Sequence, residues 1–155
     1  MNRIVPIILV GATMLATSAF AGTVDPGDVK IEDGTVAQPL TDIAGDAENG
    51  KAVFADRKLG NCLACHQNND LIQAPFHGEV GPEMNGVADR WEPAELRAIL
   101  VDSKAVFGDH TIMPAFYYNH DETGFRVAED FLGKTILTAQ EVEDVIAYLM
   151  TLKEE

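Results

Sequence analysis

Cys62, Leu63, Ala64, Cys65 and His66 stand in direct succession, a C-x-x-C-H run that holds both cysteines of the chain. Two thiols with two residues between them can reach the two vinyl groups on one edge of a porphyrin. An imidazole on the next residue can then turn onto the iron. This is the attachment spacing of a c-type haem, in which His holds one side of the iron and the second ligand tunes its potential. Other uses of the run are weaker. A dithiol redox centre needs a βαβ setting that the flanking sequence lacks. A structural zinc site needs about four ligands, and there is no third cysteine. A Cys62–Cys65 disulfide stays open for a chain in an oxidising compartment.

With His66 as the proximal ligand, the distal ligand must come from elsewhere. The candidates are Met84, Met113 and Met150, with His77, His110 and His120. Met150 falls on a terminal helical pattern and reads as core or surface. Met113 precedes Pro114, which keeps it extended and out of a helix, so its thioether is free to project toward the iron. A Met ligand gives a higher potential than a second His, as suits an electron acceptor. Met113 is therefore the expected ligand and Met84 its main competitor; the three histidines otherwise read as solvent-exposed. Pro82, after Gly81, is placed to orient His66 through its carbonyl, since a ligating His usually donates its other N–H to such an acceptor. Arg90 and Trp91 are either propionate contacts or a surface Arg and a core Trp. Thioether formation consumes both thiols, and no Ser-His-Asp pattern or metal cluster is present. No catalytic residue is assigned; the iron, filled on both sides, moves single electrons.

These residues need elements to hold them. A first helix is predicted from an Asp46 N-cap to about Lys58, with Ala47, Gly50, Val53 and Phe54 on one face. Gly50 costs such a helix about 1 kcal/mol against Ala, which makes sense where another helix crosses closely. Residues 67–80 read as a polar loop and Gly81–Gly86 as a turn. A second helix is predicted over about Glu92–Lys104, opening at Pro93. Residues 105–137 read as mostly irregular. The last helix is the clearest: Thr138 and Glu141 form a capping box, and Val142, Val145, Ile146, Leu149 and Leu152 make its apolar stripe. The predicted class is all-α, built around one covalently attached haem c, with long loops.

Residues 1–21 read as a secretory signal peptide cut after Ala21: Arg3, an apolar run from Ile4, then Ala19-Phe20-Ala21. That run is short for a membrane span and is interrupted by Pro6 and Gly11; no later segment reads as a span. Residues 22–44 read as an N-terminal arm, loose or laid along a partner, and 45–155 as the haem domain. The formal net charge is −14, and loss of Arg3 with the leader makes it more negative. Such a surface disfavours nucleic acid and anionic membranes and favours a basic partner.

Gly50 with Phe54, C-x-x-C-H, Gly81-Pro82, Met113-Pro114 and Tyr148 on the last helix resemble class I cytochromes c. The resemblance implies that the first and last helices cross, with Gly50 and Phe54 meeting Tyr148. Three stretches resemble more narrowly the monohaem SoxX subunits of SoxAX cytochromes: Gly60 to Gln67, Met113 to Tyr117, and Arg126-Val127-Ala128 with Gly133 to Val145. The narrower resemblance implies a periplasmic heterodimer with a SoxA-like cytochrome. That complex joins thiosulfate to a cysteine of the SoxYZ carrier (L-cysteine S-thiosulfotransferase), with catalysis on SoxA, and passes electrons to a downstream acceptor cytochrome. Here His66 and Met113 would ligate the haem. The alternative is a free-standing periplasmic electron shuttle; a haem-based sensor would need a vacant distal site.

Overall fold

The computed structural model describes residues 22–119, 127 and 129–154. The leader, His120, Arg126 and Ala128 lie outside the described residues. Five α-helices occur among the described residues: α1 (Ala47–Ala55), α2 (Val87–Arg90), α3 (Pro93–Val101), α4 (Ser103–Phe107) and α5 (Ala139–Leu149). The described residues form no strand, only two isolated antiparallel bridges.

The crossing of α1 and α5 is the frame. The Asp46 carboxylate caps α1 by accepting from the Glu48 and Asn49 amides, and Thr138 with Glu141 closes the α5 capping box. A Cβ on Gly50 would stand 1.8 Å from the Asp144 carbonyl oxygen, and one on Gly45 2.3 Å from that of Glu143. Only glycine lets the helices approach this closely, which accounts for a helix-weakening residue inside α1. Phe54 meets Tyr148 edge to face at 5.7 Å and 68°, a favoured aromatic geometry. The α5 stripe read from the sequence is buried throughout.

Two expectations need correcting. α1 ends at Ala55 rather than Lys58, because the chain turns there: Gly60 N–H donates to Val53 O and Asn61 N–H to Asp56 O. The helix predicted over about 92–104 is two helices. Asp102 leaves the helical region at φ −148°, ψ 93°, and its carboxylate caps α4 through the Lys104 and Ala105 amides. A short polar side chain that offers the backbone another acceptor ends one helix and starts the next.

The segment 22–44 packs on its own domain. Val36 and Leu40 are 5 % and 1 % exposed and belong to the common core. Val36 N–H donates to Ala94 O, and Leu40 N–H donates to Glu143 Oε1 at 2.8 Å. Arg97 completes the tie. Its guanidinium forks onto Glu143 at 2.7 and 2.9 Å and donates to Val36 O. Both charges are buried, which a protein tolerates when every donor and acceptor is answered. Farther along, Tyr117 Oη donates to Val24 O at 2.6 Å.

Candidate haem site

Cys62, Cys65, His66, Met84 and Met113 all line one cleft of about 1190 Å³, larger than the roughly 300–1,000 Å³ of ordinary small-molecule sites. Its walls are largely apolar, with Phe54, Leu96, Ile99, Phe116, Val145 and Leu149 among them. Thus α1, α3 and α5 each turn core residues toward the same space.

One wall is built by the C-x-x-C-H run. Cys62–Ala64 forms a 3₁₀ turn entered through Asn61 in the left-handed region, φ 49°. His66 N–H donates to Cys62 O, Gly78 N–H to Leu63 O and Gly81 N–H to Cys65 O. The glycines are fitted to this turn. A Cβ on Gly78 would stand 2.0 Å from Ala64 O, and one on Gly81 2.3 Å from His66 Cε1. His66 Nδ1 lies 2.6 Å from the Pro82 carbonyl oxygen. A carbonyl only accepts, so Nδ1 carries the proton and Nε2 keeps its lone pair. Pro82 thus stands where the sequence places it. Its neighbourhood is pinned by Arg90, whose guanidinium donates to Asn85 O at 2.6 Å and Glu83 O at 2.8 Å. Trp91 packs edge to face on Phe107 at 6.2 Å; both line the cleft.

The thiols are not bonded to each other. Burial pushes the Cys62 thiol up to about 12, with Cys65 beside it acting in the same direction. Among the described residues no group of three or more His, Cys, Asp or Glu comes together as a metal site. The donor set fits haem c: two thiols and a lone-pair-bearing imidazole open on one apolar cleft, under a glycine cradle that a Cβ would fill.

Met113 reaches the cleft from an irregular stretch held by other elements. Its carbonyl oxygen accepts from Ser103 Oγ at 2.6 Å and from Lys104 Nζ at 3.0 Å. Phe116 N–H donates to Leu100 O, and Ile136 and Leu137 N–H both donate to Phe116 O. Met84 lines the cleft too, but its N–H donates to Gln67 O, next to His66. Its backbone therefore runs along the His66 side.

His77 differs from its expectation. It is half-buried: Asn68 N–H donates to Nδ1 at 3.2 Å and Nε2–H donates to Leu71 O at 3.0 Å. Both nitrogens are engaged within the loop 67–80, so the ring is not offered to the cleft. The loop is fixed further by Asn68, fully buried, whose amide donates to Tyr148 Oη at 2.9 Å. Tyr148 Oη donates to Asp70 at 2.8 Å, and Lys51 pairs with Asp70 at 2.9 Å. Lys51 first, then Tyr148, holds the Asp70 carboxyl below its usual range. Burial, then the Asp70 carboxylate, pushes the Tyr148 phenol up. Sequence reading missed this chain; the polar Gln67–Asp70 run facing an aromatic of the last helix is the signal it left. His110 is exposed.

Comparison with known proteins agrees with this geometry. The cytochrome c family model matches residues 47–153. A chain of the solved SoxXA structure from P. pantotrophus is 38 % identical, with a TM-score of 0.76, over 86 % of this chain and 100 % of that one. No curated protein is significantly similar in sequence. Over two thirds of its length and around a cleft fitted to covalent haem, this chain belongs to the cytochrome c family, and within it to the SoxX kind.

Proposed function

We propose that the chain is the electron-accepting, monohaem subunit of a SoxAX-type complex in the periplasm, delivered there by cleavage of residues 1–21. In this reading Cys62 and Cys65 form the thioethers, and His66 and Met113 are the axial ligands, in a domain of residues 45–155 strapped by the arm 22–44. Bound there, haem c supplies a one-electron couple. The Nδ1–H bond to Pro82 fixes the His66 tautomer and raises its basicity as a ligand. The apolar walls exclude water. The observation that carries the reading is that four residues from two distant stretches, 62–66 and 113, open on one apolar cleft.

The rest follows from chemistry. Joining a carrier cysteine thiol to thiosulfate makes an R–S–S–SO₃⁻ bond and releases one proton and two electrons. A one-electron centre cannot hold both, so the SoxA-like partner or a downstream acceptor cytochrome takes the other. With both thiols of this chain in thioethers, the bond to the SoxYZ cysteine is made on the partner. The likeness to a SoxXA chain supports that assignment.

The test is affinity capture of the tagged, haem-loaded protein from periplasm during growth on thiosulfate. Expected is stable recovery of a second cytochrome chain in equal amount, with the far-red Fe–S(Met) absorption band intact. A protein that stays alone at every concentration leaves the free electron shuttle as the better reading.

A further inference from the structure

We propose that Ser103 and Lys104 are positioning residues for the Met113 sulfur: a two-donor clamp on the ligand's own peptide that sets how readily an outside base displaces it. The proposal rests on the reading of Met113 as distal ligand.

The geometry is specific. Ser103 is fully buried, and its hydroxyl donates to Met113 O at 2.6 Å, with Pro114 O at 3.4 Å. Lys104 Nζ reaches the same Met113 oxygen at 3.0 Å and Thr111 O at 3.1 Å. A carbonyl oxygen has two lone pairs, and here the two side chains engage both. The segment cannot make such ties itself. Pro114 has no N–H to give, and the residue before it is held extended.

The break at Asp102 explains how the donors arrive. By ending α3 and capping a new helix, Asp102 turns Ser103 inward and brings Lys104 over the Thr111–Met113 stretch. Beyond it, Phe116 N–H is tied to Leu100 O at the end of α3. Before it, Ile112 is 74 % exposed at the mouth of the cleft, so a small base has an approach beside the ligand.

The energetic consequence is a population. An outside ligand binds only the fraction of molecules whose sulfur is off the iron, so its apparent affinity is its intrinsic affinity multiplied by that fraction. If the off state needs the Met113 peptide to swing, the clamp exists only in the on state and lowers that fraction. Losing one clamp bond then raises the affinity by the factor that bond was worth.

Imidazole titration of the ferric holoprotein, followed by loss of the far-red Fe–S(Met) band, reads this directly. Ser103→Ala and Lys104→Met are each expected to bind imidazole about five- to tenfold more tightly than wild type, and the double variant more tightly still. Lys104→Arg, which keeps a donor, should return toward wild type. Leu152→Ala, in the core but off the cleft, should lower Tm and leave imidazole affinity unchanged. A merely structural role would make the clamp variants behave like Leu152→Ala. Wild-type imidazole affinity in both Ser103→Ala and Lys104→Met overturns the clamp. Should Met113→Ala keep the far-red band, the ligand reading itself falls, a result distinct from failure of the clamp. If Ser103→Ala takes up no haem, Lys104→Met alone decides.

Discussion

The two sides of the cleft are held by different means. The His66 side is held chiefly by local ties, with Tyr148 and Lys51 anchoring its loop from outside. Residues 60–82 tie back on the C-x-x-C-H turn through backbone hydrogen bonds, with glycines pressed against it at distances that admit no side chain. The Met113 side is assembled from separate stretches, Ser103 and Lys104 gripping one carbonyl, α3 and residues 136–137 gripping Phe116. Its backing extends to the N-terminal segment, through Tyr117 onto Val24 and through Arg97 of α3 onto Val36. A wall made chiefly of one stretch is mostly fixed once that stretch has turned; a wall made of several depends on ties far from the iron.

The largest blow to this contrast should come from Arg97→Met. Breaking a buried ion pair from one side leaves the other charge uncompensated, at about 3–5 kcal/mol, and here it also frees the Val36 carbonyl. The methionine side should fail first, so that on warming the far-red band bleaches before the Soret band changes. Simultaneous loss would erase the distinction. Gly81→Ala strikes the other wall. The new methyl group would overlap His66 Cε1, an overpacking cost of about 1–3 kcal/mol. Weakened proximal ligation should appear as a high-spin fraction in the absorption spectrum, with covalent haem content unchanged.

A smaller effect, about 1–2 kcal/mol, is expected for Tyr148→Phe, which leaves the buried Asn68 amide without its acceptor. It carries a pH signature. The folded protein holds the Tyr148 proton more tightly than the unfolded chain. That stabilisation is complete below about pH 10 and is lost as pH rises beyond it. Denaturant titrations should show the alkaline decline flattened in Tyr148→Phe. Asp70 gives the mirror image and the smallest effect. Its lowered folded value stabilises above about pH 4, and the gain fades as pH falls through the folded value. Asp70→Asn should flatten the acid limb and, because the Asp70 carboxylate helps hold the Tyr148 proton, soften the alkaline decline in part.

What could be read in advance divides along the same line. Cys62, Cys65 and His66 are adjacent, so spacing alone foretold that they would share one wall of the cleft. The Thr138–Glu141 box and the α5 stripe are periodic and local. Gly50 gained its meaning from the close crossing that its cost implied. The Asp102 break was written as an Asp-Ser pair, a helix-start signal, but lay inside an apolar period that masked it. His77 read as exposed because its partners, Asn68 and Leu71, are backbone groups with no sequence signature. The segment 22–44 has no clear period; Val36 and Leu40 mark where it enters the core, and Val29 and Ile31 pack against it without a spacing that announces them.

The last helix carries the adjacent acids Glu143 and Asp144. The first receives Leu40 and Arg97, and the second receives Asp46 and Asn49. Tyr148, one turn on, receives Asn68. Partners this distant in sequence raise the contact order of the fold, and none of these ties can form without residues 139–149. One helix thus fastens three stretches at once, so cutting it away would release these holds on the segment 22–44, the start of α1 and the loop 67–80 together.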